Sequence, residues 1–262
     1  MKVNINHNIP EVRAALERAA SQVPFALAVA LNKTAEKAAG NVKQSMQSVF
    51  DRPTPWVLNS LRVKRATKQL PEAELAFKDK NSVESARSMI EPHVFSGKRH
   101  HKAMEARLLG MGLIPAGYNA VPGAAAKLDA YGNMGRGQIT QLLNVLGTYT
   151  EAGYNKANAA TGARLAKGNV KKNQYGFVYW VNKVGSAKAK HLQPGVYQRV
   201  KTGFGSSLKP VLIFVKRANY KKRLDMFGIT QRTVDTVFVA EFNAAFEDAL
   251  RTARFSSQGS LL

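Results

Sequence analysis

Between residues 27 and 49, Leu27, Leu31, Ala35, Ala38, Val42, Met46 and Val49 recur at intervals of four and three. The mean spacing, about 3.67 residues, is close to one turn of an α-helix. Lys33, Lys37 and Lys43 fall off the stripe. The segment therefore predicts a long helix with one apolar side that needs cover. A shorter stripe, Ile9, Val12, Leu16, Ala19 and Val23, precedes it. Pro24 lies between the two stripes and predicts a break or kink, because proline removes a helical N–H and clashes with the preceding turn. Near the other end, from about Thr230, Val234, Val237, Phe238, Phe242, Ala245, Phe246, Ala249 and Ala253 mark a closing helix.

The middle reads differently. "YGFVYWVN" at 175–182 alternates and is rich in aromatics, "GVYQRVK" at 195–201 is a short strand, and "PVLIFVKR" at 210–217 is a buried-type strand. Gly203 and Gly205 between the last two suggest a hairpin. Residues 75–77 and 90–95 read as further strands, and 100–111 and 138–146 as short helices. Residues 112–137, rich in Gly, Pro and Ala, and the basic residues 152–174 read as long loops. The tail 255–262 should fray. The pattern predicts an α+β fold across 1–262. Long amphipathic N- and C-terminal helices pack on a small, mostly antiparallel sheet with extended loops, in one structural domain.

"FDRPTPW" at 50–56 reads as a corner. Asp51 and Arg52 end the long helix, Pro53 and Pro55 set the chain's direction, and Trp56 plugs the seam together with Leu61. Thr54 followed by Pro55 is the pattern of a helix N-cap with proline at the first helical position. A recognition loop is the alternative reading of the segment.

The charge is extreme. Thirty-nine Lys and Arg against 17 Asp and Glu give a formal charge of +22. Residues 152–224 hold 16 of the cations and no acid. An anionic partner follows, either nucleic acid or an acidic protein surface. The candidate contacts are Lys171, Lys172, Lys188, Lys190, Lys201, Lys216, Arg217, Lys221, Lys222 and Arg223. Tyr175, Phe177, Tyr179, Trp180, Tyr197 and Phe204 are interleaved with them. Cations that track phosphates beside rings that stack on bases make a single-strand surface, although strand aromatics also build cores.

Reaction chemistry has little to stand on. The chain has no cysteine, which excludes disulfides and thiolate sites. No G-x-x-x-x-G-K-[ST] or G-x-S-x-G occurs. His100 and His101 are adjacent, so on a helix they would point about 100° apart, a poor pair of metal ligands. Glu72, Glu74, Asp79, Glu84 and Glu91 are the carboxylates that a metal-dependent nuclease would have to converge. The longest apolar run, residues 25–31, is far short of the roughly 18 residues of a membrane span, and residues 1–20 carry no signal-peptide core.

Three features together resemble the minor tail protein Z family of tailed phages and the related tail-completion and head–tail joining proteins. The first is "VPFALAVALNKTAEKAAGNVKQSM" at 23–46, where Pro24, Ala26, Ala30, Leu31, Asn32, Lys33 and Ala35 carry the match. The second is the basic middle with "PGVYQRV" and "PVLIFVKRANYKKRLD", and the third is the closing helix "VDTVFVAEFNAAFEDALRTA". The resemblance implies a non-enzymatic virion structural protein at the tail or neck, assembled in the host cytoplasm. It would have no catalytic residues, metal or cofactor. Its expected partners are other tail and neck proteins, further copies of itself as a homo-oligomer such as a ring, and genomic DNA in the lumen, with no membrane. The rival expectations are a sequence-tolerant nucleic-acid-binding protein and a phage nuclease.

Overall fold

A computed structural model describes residues 9–78, 86–147, 159–169, 174–186, 189–202 and 205–258. In chain order the elements are α1 (Ile9–Val49), α2 (Pro55–Leu58), β1 (Leu61–Lys64), β2 (Glu74–Phe77), α3 (Ala86–Phe95), β3 (Gly97–Lys98), α4 (Ala103–Gly110), β4 (Tyr118–Pro122), α5 (Arg136–Val145), α6 (Ala159–Lys167), β5 (Gly168–Asn169), β6 (Gln174–Tyr175), β7 (Phe177–Asn182), β8 (Gly195–Thr202), β9 (Gly205–Lys216), β10 (Asn219–Tyr220) and α7 (Met226–Gln258). The fold is α+β, with terminal helices and small antiparallel sheets. The chain divides into two compact units, Met1–Lys78 with Arg223–Leu262, and Asp79–Lys222. The sequence pattern by itself suggests one domain.

The first unit is built on α1 and α7. They run antiparallel: Lys37 and Lys33 reach Glu241 at 2.6 and 3.3 Å, while Asn41, further along α1, donates to Thr233, earlier in α7, at 2.9 Å. The buried line of α1 is Ala26, Ala30, Thr34, Ala38, Val42 and Met46, with Leu27, Leu31 and Ala35 half-buried beside it. On α7 the most buried positions are Ala249, Thr233 and Ala245. Small residues occupy the seam because they let two helix backbones approach closely, which pushes the larger leucines to its flanks.

Pro24 does not break α1, which runs through it. The carbonyl that Pro24 leaves without a partner belongs to exposed Ala20, where water can satisfy it. The hairpin of β1 and β2 docks on α1 through Asn32, whose amide donates to Ala66 O at 3.0 Å and accepts from Ala66 N at 2.7 Å. The short helix α2 ends at Leu58, and Leu61 already opens β1. Thr54 caps α2 as expected, its hydroxyl accepting from Val57 N at 3.3 Å, with Pro55 leading the helix. Arg52 turns the chain with φ of 45°, and its guanidinium lies 3.3 Å from Asp51. Trp56, however, is 52% exposed and plugs no seam. The buried residue that follows the corner and α2 is Ser60.

The second unit centres on a four-stranded antiparallel sheet ordered β4-β9-β8-β7. Leu108, Ile114, Leu142, Leu143, Tyr179, Val196, Leu212 and Phe214 are among the side chains that form its core. Residues 90–95, expected as a strand, belong to helix α3. A short apolar run is ambiguous between the two states, and the flanking residues extend it into helix. Residues 112–137 are not one loop. They contain β4, whose line continues as Gly123 N and Ala125 N donate to Val211 and Pro210 carbonyls of β9. Asp129 then organises a turn by accepting from the N–H groups of Tyr131 and Asn133 at 2.9 and 2.8 Å. Within the expected basic loop, α6 and β5 are folded. The expected tail begins inside α7, which runs to Gln258.

The seam makes a paired prediction. Exposed Gly40 of α1 has nothing within 4 Å of where a Cβ would sit. Gly40→Ala should therefore stabilise by about 0.5–1 kcal/mol. Ala38→Leu should destabilise by roughly 1–3 kcal/mol through overpacking. Urea denaturation of the two variants against the parent chain checks both signs.

Candidate anionic-partner groove

Strand alternation in the second unit puts Tyr179, Gln198 and Lys209 in one row across β7, β8 and β9, with Phe177, Val200 and Ser207 in the next. All of these but Ser207 line a groove of about 870 Å³. Gln138 and Gln141 of α5, with Lys127, line it, and so do Arg164 and Leu165 of α6, Gly168 and Asn169 of β5, and Tyr175. Among the described residues no Asp or Glu lines it.

The groove is held by specific contacts. Tyr179 donates to Gln141 Oε1 at 3.2 Å, and its ring meets Phe177 edge-on with centroids 5.3 Å apart. Burial pushes the Tyr179 phenol up, so it stays a neutral donor at neutral pH. Gln138 accepts from Lys127 N at 2.6 Å and donates to Ala125 O at 3.0 Å, fixing Lys127 beside α5. Between β6 and β7 lies Gly176, where a Cβ would come within 1.9 Å of Ala166 O. Only glycine permits that approach of α6 to the strand. Lys127, Arg164 and Lys209 are all exposed cations from different elements.

The sequence-predicted contacts distribute unevenly. Lys171, Lys172 and Lys188 lie outside the described residues, as does Phe204. Lys201 and Lys216 are exposed near the ends of β8 and β9, Lys190 is exposed between β7 and β8, and Lys221, Lys222 and Arg223 are exposed beyond β10. Arg217 is half-buried and committed: its N–H donates to Gly117 O at 2.9 Å and its guanidinium donates to Arg99 O. Tyr175, Phe177 and Tyr179 come together in the groove. Trp180 and Tyr197 pair on the opposite face, 5.8 Å apart. The groove cations Lys127, Arg164 and Lys209 are absent from the predicted contacts. Lys209 directly precedes "PVLIFV", but a register shift opposite Val196 and Tyr197 interrupts the alternation between them, so parity does not signal its face, and Lys127 was hidden in a stretch that reads as a loop.

A smaller cavity of about 190 Å³ is lined by His93, Arg99, His100, His101, Lys102 and Tyr220. His100 and His101 precede α4 rather than lying on it. Among the described residues no cluster of three or more His, Asp or Glu could hold a metal ion. Glu72 and Glu74 are exposed, Glu91 is 4.0 Å from Arg87, and Asp79 and Glu84 lie outside the described residues.

Beneath this cavity is Glu105, fully buried. It accepts from Arg99 Nη1 and Nη2 at 2.7 and 2.6 Å, from Lys102 N at 2.8 Å and from Ala120 N at 2.7 Å. One carboxylate thus ties the α4 start to β4 and to the segment after β3. Burial pushes its carboxyl up, but the Arg99 guanidinium and the two backbone donors outweigh burial and hold it below the usual glutamate range.

No protein-family model matches this chain, and no curated protein or solved structure does either.

Glu105→Gln should cost about 3–5 kcal/mol at neutral pH, because it leaves the Arg99 charge buried without its partner. The folded carboxyl titrates below the unfolded one. Its contribution is therefore complete above the usual glutamate value and disappears as pH falls through the lower, folded value. Denaturant melts of both chains from pH 7 down to pH 3 should show the gap between them closing on the acid side.

Proposed function

We propose that this chain is a structural component of a tailed-phage particle, at the tail or the head–tail neck. It acts by assembling with further copies of itself and with neighbouring tail or neck subunits, and no reaction is part of its role. The resemblance carried by residues 23–46, the basic middle and the closing helix supports this reading. Within that first segment, Ala26 and Ala30 are seam residues, Asn32 holds Ala66 and Lys33 reaches Glu241.

The observation that carries it is an apolar stripe left bare. Val12, Leu16 and Val23 lie within about 60° of one another around α1 at 100° per residue. They are 49, 66 and 37% exposed. Helical periodicity marks this as a face for burial, yet α1 keeps it in water. At 41 residues α1 is about 60 Å long, and its apolar N-terminal turns remain exposed while the seam with α7 buries its later half. Covering each such side chain contributes roughly 1.5–3 kcal/mol, so a few copies meeting on this stripe gain enough to associate. Basic surfaces elsewhere then dock on acidic neighbours in a salt-sensitive way.

Sedimentation velocity of the full chain at micromolar concentration should show an oligomer. Leu16→Lys combined with Val12→Lys should give a monomer with unchanged thermal unfolding of its subunit fold. A parent chain that sediments as a monomer and is missing from purified particles would overturn the proposal.

A further inference from the structure

The groove between α5, α6 and the sheet has an occupant that assembly does not require. The geometry points to single-stranded nucleic acid, held by its phosphodiester backbone on Lys127, Arg164 and Lys209 with a base stacked on Tyr175. This goes beyond the assembly reading and does not rest on it, since every residue involved belongs to the second unit.

Charge is the first argument. Three cations from three separate segments line one groove, with no lining carboxylate among the described residues. Arg164 and Lys209 both belong to residues 152–224, which contain no acid. Converging uncompensated cations concentrate an anion, and a polyanion more than a single one.

The rings are the second argument. Tyr175 is 66% exposed at the groove's edge, beside Phe177 and Tyr179. A tyrosine face left in water next to lysine and arginine is the pairing that single-strand surfaces use: charge follows the backbone while the ring stacks on any base. The amide of Gln198, between Tyr179 and Lys209 on the floor, adds a donor and an acceptor for base edges.

Size is the third argument. A groove of about 870 Å³ accepts a few nucleotides and is far too small to take a duplex with both strands in contact. An acidic peptide would satisfy the cations but offers no planar face to Tyr175. The observations therefore favour nucleic acid, and a peptide becomes an outcome of the test.

The test is fluorescence anisotropy of the full chain with labelled oligo-dT and oligo-rU 12-mers, a 12-bp duplex and a 12-residue oligo-glutamate. Both single strands, or one if the sugar is discriminated, should bind at least tenfold more tightly than duplex or peptide. Three phosphate contacts predict a slope of log K against log salt of about −2. Lys209→Gln and Arg164→Gln should each reduce that slope by about 0.7. Tyr175→Ala should weaken binding roughly 5- to 150-fold, and Tyr175→Phe should restore most of it. Arg199→Gln, on the opposite face of the sheet, is the control and should leave affinity near the parent's. These are exposed side chains, and circular dichroism melts confirm that each variant folds.

The proposal is overturned by absent single-strand binding, by equal or tighter peptide binding, by duplex binding as tight as single strand, or by Arg199→Gln costing as much as Lys209→Gln. The sedimentation result on the first unit is independent of all of these, so either proposal can fail while the other stands.

Discussion

The contact between α1 and α7 closes the chain on itself. Lys37 and Glu241 stand 204 positions apart in sequence, and Asn41 and Thr233 stand 192 apart, yet both pairs are within hydrogen-bonding distance. Everything from α3 to β10 is thereby inserted in sequence between two halves of one helical unit. The closure entropy of so long a loop grows only with the logarithm of its length, so a continuous small-residue seam can offset it. Contacts this remote in sequence form slowly, and folding of the first unit has to wait for the C-terminal residues. Lys37 and Lys33 converge on Glu241 and hold its carboxyl below the usual range, which adds register to a seam of alanines that would otherwise slide.

The scarce acids are spent on structure. Glu105 knots three segments of the second unit, Glu241 registers the helices, Glu36 reaches Arg65 at 2.6 Å, and Asp129 folds a turn. Each has specific donors, and none of them lines the groove. The excess of cations is then left on surfaces with no internal counter-charge. A protein in that state repels copies of itself unless apolar contact or an anion intervenes. An exposed apolar stripe on α1 and, among the described residues, a groove without a lining carboxylate are the two features on which the proposed assembly and the proposed strand binding rest.

Much of the secondary structure was legible because it rests on local periodicity. The two terminal helices, the strands at 177–182 and 195–216, and the cap at Thr54-Pro55 all follow from side chains a few residues apart. The misses share a cause. Pro24 was tolerated because the Ala20 carbonyl it leaves orphaned faces water, Trp56 is half exposed rather than packed, and 112–137 became ordered through partners on β9 about ninety residues away. Arg217 looked like a free surface cation and is instead a backbone clamp on Arg99 and Gly117.

By itself the sequence determined the α+β class, the amphipathic end helices, the absence of thiol chemistry and the concentration of positive charge, since composition and spacing are intrinsic to the chain. Tertiary structure alone decided which cations share a groove, which aromatic rings reach it, that buried Glu105 pairs with Arg99, and that Val12, Leu16 and Val23 of the first apolar stripe of α1 stay exposed. Those outcomes depend on which strands pair and which helices meet, and pairing is settled by the summed burial of residues far apart in sequence rather than by any local pattern.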